Sequence, residues 1–183
     1  MKIREPRGVD NPVTYRNRKN CFALIVQAFC DAYCRFRVFD IKWPGSTSDL
    51  TAYTQTQLYY LMKTKGLPEW VCLVLDGIYS SCGGNHLTPF SSTDLSKAAE
   101  KDHELYLKMI TYNRVICAIR VTIERAFGQL VRRFGILWKP IEFDVSNIPL
   151  LVTTCAILHN ICINRWLLNG KPGSDQMLSL IST

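Results

Sequence analysis

No apolar run in this chain approaches the roughly 18 residues that would cross a membrane as a helix. The opening MKIREPRG has neither the apolar centre nor the cleavage pattern of a secretory leader. These absences argue against a membrane protein and a secreted one, so the chain reads as soluble and intracellular. Its eight cysteines then read as reduced thiols, mostly buried as small hydrophobes, rather than as a disulfide framework. No internal repeat or low-complexity segment is visible, which argues against a solenoid. Acids are also scarce, with 15 Asp and Glu against 22 Lys and Arg.

What is present fits one domain with a proper core: 183 residues, 48% of them hydrophobic. The net charge of +7 is unevenly spread. Residues 1–20 carry six bases against two acids, and residues 114–139 carry six against one, so the rest is slightly acidic. Such clustering suits a polyanionic partner, nucleic acid above all, because neutralised phosphates release counterions. It suits an ordinary solvated face equally well.

Along the chain, Cys21 to Cys30 is a near-continuous apolar run that reads as a buried strand, and Arg35 to Trp43 reads as its antiparallel partner across a short turn. Helical spacing runs from about Leu50 to Lys63 and breaks at Gly66-Leu-Pro68. Trp70 to Asp76 reads as a third strand, and the Gly/Ser/Pro-rich segment after it as an irregular loop. Thr93 to Phe134 reads as two helices with a break near Thr111-Tyr-Asn113, the second carrying the stripe Ile116, Ile119, Ile123, Phe127, Leu130 and Phe134. A last helix, Asn147 to Leu168, is assigned Leu150, Leu151, Thr154, Ile157, Leu158, Ile161 and Trp166 as its inner face. Residues 1–168 form the expected domain and 169–183 a flexible tail. The outline is a mixed α/β domain.

Three acids stand out. Asp76 ends a strand, where open α/β folds collect ligands, although Asp-Gly pairs also simply cap turns. Asp49 follows Ser46-Thr-Ser and fits the third position of a capping box led by Ser46, or a ligand. Glu124 lies about 100° from Ile123 on its helix, at the edge of the apolar stripe. From there it reaches towards a strand end or pairs with Arg120 one turn back. Cys155, His159 and Cys162 share a helix face that suits zinc, but core packing explains them better.

The segments NRKN at 17–20, CDAYCRF at 30–36, WPGSTSD at 43–49, VLDGIYSS at 74–81, LTPF at 87–90, YNR at 112–114, TIERAFGQLVRRFGIL at 122–137 and CAILHN at 155–160 occur in that order. Together they resemble the nuclease domain of Harbinger/PIF-type DDE transposases and their domesticated relatives, from about Asn17 to Asn160. The resemblance implies an RNase H-like mixed sheet flanked by helices. It also implies a nuclease, a hydrolase whose acids hold divalent Mg²⁺ or Mn²⁺ and which acts on DNA phosphodiesters, with residence in the nucleus and the cytoplasm as a second compartment. By this match Asp76 and Glu124 are catalytic and metal-ligating, and Asp49 is a further metal ligand. Carboxylate oxygens are the hard donors that such ions prefer.

The family's first catalytic acid sits in an Asp-Gly-Thr/Ile-His type sequence on its first strand, ahead of a segment like MKIREP. Asp10, Asp31 and Asp40 are the early aspartates that could substitute for it, and Asp31 reads as a turn residue. The first strand is therefore expected to be partly or wholly missing and catalysis impaired. The alternative is a domesticated non-catalytic module that binds DNA or protein, with a DNA-binding partner protein and no membrane. A zinc-stabilised interaction domain is a weaker third reading. Arg114, Arg120, Arg125, Arg132 and Arg133 are the expected DNA-phosphate contacts.

Overall fold

A computed structural model describes residues 1–68, 71–83 and 85–169. Beyond Asn169, the expected tail lies outside the described residues. β1 (Leu24–Cys30) and β2 (Phe36–Pro44) form an antiparallel hairpin, registered from Leu24 opposite Pro44 to Cys30 opposite Phe36. Its turn is built by Asp31, whose carboxylate accepts from the Tyr33 and Arg35 amides at 3.0 Å and from Arg35 Nε at 2.6 Å. Asp31 is thus a structural turn residue, as its neighbours suggested. Residues at the N-terminus extend the sheet, with Lys2 bridging Ala23 and Ile3 bridging Ile141.

The expected helix 50–63 is two helices, α1 (Asp49–Thr54) and α2 (Gln57–Lys65). Thr56 separates them: its buried hydroxyl donates to Tyr53 O at 2.7 Å and accepts from Tyr59 N, which caps α2. β3 is shorter than the expected strand, only Leu73–Val74, and pairs in parallel with β4 (His86–Leu87). The segment expected to be irregular therefore contains a strand, and also a 3-10 turn over Gly77–Cys82. Among the described residues the strands make two separate two-stranded ribbons, so the molecule is mixed α/β with small sheets.

α3 (Ser92–Lys101) opens with a capping box of Ser91 and Asp94. α4 (His103–Arg133) then runs 31 residues through Thr111–Asn113 without interruption. The break falls instead at Asp102, whose carboxylate accepts from the Glu104 and Leu105 amides and starts α4. Thr111 does not end the helix because its hydroxyl donates back to Leu107 O, and Asn113 does not because its amide is spent on Phe90.

α5 (Ile148–Leu168) packs on β2 by a face other than the expected one. Ile148, Val152, Cys155, Ala156, His159 and Ile163 are buried, whereas Leu150, Thr154, Ile157, Leu158, Ile161 and Trp166 are exposed. Helical spacing could not separate these faces, because both are apolar. Polar clamps choose the rotation. Asn160 accepts from Phe36 N at 2.8 Å and donates to Phe36 O at 2.7 Å, and His159 Nε2 donates to Cys34 O at 2.9 Å. By length and composition α5 could also cross a membrane, contrary to the reading that no segment comes near, but a third of it is buried against the domain.

The main core joins the hairpin, α4 and α5 through Leu24, Phe36, Ala126, Leu130, Ile148 and Val152, with Ile123 and Phe127 packed against it. Of the expected α4 stripe only Ile119 faces solvent. A smaller cluster of Tyr53, Leu75 and Cys82 sits under α1 and β3. The thiols are less buried than expected: Cys34, Cys82 and Cys155 are buried, but Cys72, Cys117 and Cys162 are exposed.

Candidate functional site

Asp49 is the first residue of α1, and its cap is Ser48, not Ser46: the Ser48 hydroxyl accepts from Thr51 N at 3.0 Å. The Asp49 carboxylate is therefore released from capping and exposed. Its backbone is fixed by the buried Gln27 of β1, whose Nε2 donates to Asp49 O at 3.0 Å. The sharp approach to α1 depends on Gly45, where a Cβ would lie 2.5 Å from Tyr15 O and 2.9 Å from Ala23 O. WPGSTSD is thus a segment whose glycine admits the chain and whose serine starts the helix.

Asp76 follows β3. One carboxylate oxygen accepts from the Gly77 amide at 2.6 Å, the local capping role foreseen for an Asp-Gly pair. The other accepts from Arg120 Nη2 of α4 at 2.8 Å, with 54% of the Asp76 side chain still exposed. Arg120 therefore serves Asp76 across the fold rather than Glu124 on its own helix. Glu124 lies four residues on from Arg120, one turn along the same strip of α4, and is exposed.

Tyr79, in the 3-10 turn after Asp76, packs against the small cluster of Tyr53, Leu75 and Cys82. Burial pushes its hydroxyl above the ordinary value and the Gln27 side chain pulls it back, while the charges of Asp49 and Asp76 push it up again. Both carboxylates thus act on one phenol between β1, α1 and β3. Nearby, Tyr53 is fully buried and its hydroxyl lies 2.7 Å from His86 Nε2, an edge that had no visible role in the sequence.

A divalent cation would find oxygen donors of the right hardness on Asp49, Asp76 and Glu124. Among the described residues, however, no three of His, Cys, Asp or Glu gather where one ion could be held. Arg120 already supplies Asp76 with positive charge. The acids as arranged do not fit a metal pair. The same holds for zinc at Cys155, His159 and Cys162: Cys155 and His159 point into the core and Cys162 out of it.

The arginines divide by their angle around α4. At 100° per residue, Arg114, Arg125 and Arg132 fall within about 20° of one another, whereas Arg120 and Arg133 lie off that line. All three are exposed and form no ion pair among the described residues. Arg133 is committed inward, donating to His159 Nδ1 at 2.9 Å and His159 O at 3.3 Å. Burial holds His159 below the ordinary histidine range; the bond to Cys34 O opposes this, and the Arg133 guanidinium adds to it.

Two asparagines carry roles that no single-residue signal announced. Asn113 in YNR accepts from Phe90 N and donates to Phe90 O, in LTPF, at 2.9 and 3.1 Å. Asn160 does the same for Phe36, linking CAILHN to CDAYCRF. The motifs work in pairs, each amide side chain completing the backbone bonds of a distant segment. Their fixed order along the chain was the available signal.

Compared with protein-family models, residues 1–160 match that of the DDE superfamily endonuclease. No curated protein and no solved structure matches. With the match spanning most of its length, the chain belongs to the DDE superfamily endonuclease family.

Proposed function

We propose that this chain is a nuclease domain derived from a Harbinger-like transposase, of RNase H-like descent, acting on DNA in the nucleus. Asp76 and Glu124 are its catalytic carboxylates and Asp49 a further one. The observation that carries the reading is the Arg120–Asp76 contact, which draws the α4 strip bearing Glu124 to the end of β3. Mg²⁺ or Mn²⁺ is the cofactor that goes with this chemistry. Since the described acids do not assemble a seat for an ion, the chain alone is expected to cut DNA weakly or not at all.

The line of Arg114, Arg125 and Arg132 is the DNA-facing ridge, with Arg120 and Arg133 acting through Asp76 and His159 instead. Duplex binding should weaken as salt rises, and each of these three arginines changed to Ala should reduce the salt slope by about one. Binding indifferent to salt, or unaltered in the triple variant, would remove the ridge from the proposal. A second reading, a domesticated module that binds DNA or a DNA-binding partner without cutting, is favoured because no three acids gather, among the described residues, where one ion could be held. Plasmid nicking in Mn²⁺ tests the module: nicking that is lost on Asp76→Ala would overturn it in favour of the nuclease, and nicking that survives Asp76→Ala would remove Asp76 from the site.

A further inference from the structure

The outward face of α5 has a pattern that neither the core nor the acids use. Leu150, Thr154, Ile157, Ile161, Asn164 and Leu168 are all exposed and follow spacings of four, three, four, three and four residues. That is the seam of a coiled coil. Leu150 is 72% exposed, Ile157 55%, Ile161 54% and Leu168 86%, with Leu158 on their flank. Together they form an apolar strip of several hundred Å², the size at which exposed apolar surface marks an interaction site.

We propose that α5 is a self-association helix, on which two copies of this chain pair antiparallel about a two-fold axis. The seam is self-complementary in that sense. An antiparallel pairing centred beside His159 sets Leu150 against the second copy's residue 168, Ile157 against its residue 161, and Thr154 against its residue 164, and each pair recurs by symmetry. Apolar layers meet apolar layers at the centre and both ends, and the two polar layers meet each other.

The polar layers also match in donors and acceptors. Thr154 Oγ1 already donates to Leu150 O at 2.8 Å, which leaves its lone pairs to accept. Asn164 Oδ1 already accepts from Arg35 Nη1 at 3.0 Å, which leaves its NH₂ to donate. A parallel pairing would instead set Thr154 against Thr154 and Asn164 against Asn164, losing this match. The opposite face of α5 is held by Val152, Cys155, Ala156 and His159, so the seam faces outward from an anchored helix.

The test is sedimentation equilibrium of the full chain over a range of concentrations. A monomer–dimer equilibrium is expected, with the dimer Kd raised more than about tenfold by Ile157→Glu with Ile161→Glu, since a buried unpaired charge is costly. The far-UV spectrum and thermal midpoint should be retained, because both side chains are exposed. In a chain with the exposed Cys72, Cys117 and Cys162 changed to Ser, mixed Leu150→Cys and Leu168→Cys variants should cross-link across the interface under mild oxidation, while either alone should not. A chain that stays monomeric, a dimer indifferent to the Glu variants, or cross-linking by Leu150→Cys alone would overturn the proposal. So would binding to phosphatidylcholine vesicles abolished by the same Glu changes, which would assign the strip to lipid, or dimerisation seen only after removal of residues 170–183.

Discussion

Among the described residues, the core built around the hairpin, α4 and α5 has fourteen buried residues, whereas the cluster beneath α1 and β3 has three. Asp49 and Asp76 both stand on the lean side, and Glu124 stands on the rim of the rich side. The difference teaches where this molecule keeps freedom. The rich half is over-determined by apolar packing, and the lean half is held by individual polar contacts such as Gln27 to Asp49 and Tyr53 to His86. Carboxylates that must meet a charged substrate suit the second environment better, because it leaves them hydrated.

The contrast is broken most directly by truncation. Leu130→Ala, at a fully buried site of α4, should cost about 2–5 kcal/mol in denaturant unfolding, and Leu75→Ala in the small cluster should fall at or below the bottom of that range. Equal losses would erase the distinction. The next effect is acid loss in the rich half. His159 is buried with a lowered pKa, so the unfolded chain takes up its proton more readily than the folded one. Its contribution is full above the ordinary value of 6.5 and is lost as pH falls below it, at no more than roughly 1.4 kcal/mol per pH unit for one proton. Urea midpoints measured from pH 7.5 to 5 should show this slope, and a His159→Gln variant with an equally steep slope would assign it elsewhere.

Smaller still is Tyr53→Phe, which removes one buried hydrogen bond to His86 and should cost about 1 kcal/mol with little change in fold. The smallest change in stability, roughly 0–1 kcal/mol, is expected for Asp76→Asn, because its pairing with Arg120 is half exposed. If Asp76→Asn instead unfolds the domain, Asp76 is a structural keystone and the lean half is not the functional one.

Much of the rich half was legible in the sequence. The hairpin followed from two apolar runs about a polar turn, and α4 from Ile116, Ile123, Phe127 and Leu130. What failed did so where local pattern has two solutions. α5 is apolar on both faces, and its orientation rests on His159 and Asn160 finding backbone atoms more than a hundred residues away. The α1–α2 break rests on one hydroxyl, Thr56, which propensity treats as neutral. At the site, Asp76's place at a strand end was readable from the halt of an apolar run. Its partnership with Arg120 was not, because it joins residues 44 positions apart on different elements.

The Asn160 clamp has a consequence for the order in which this chain assembles. Phe36 sits on the second strand of the first hairpin, yet its amide and carbonyl are satisfied by a side chain 124 residues later. During synthesis that turn must wait, hydrated and unfinished, until nearly all of the domain has left the ribosome. The earliest hairpin in the chain is therefore among the last pieces to lock, and protection of the Phe36 amide from hydrogen exchange should appear late in refolding.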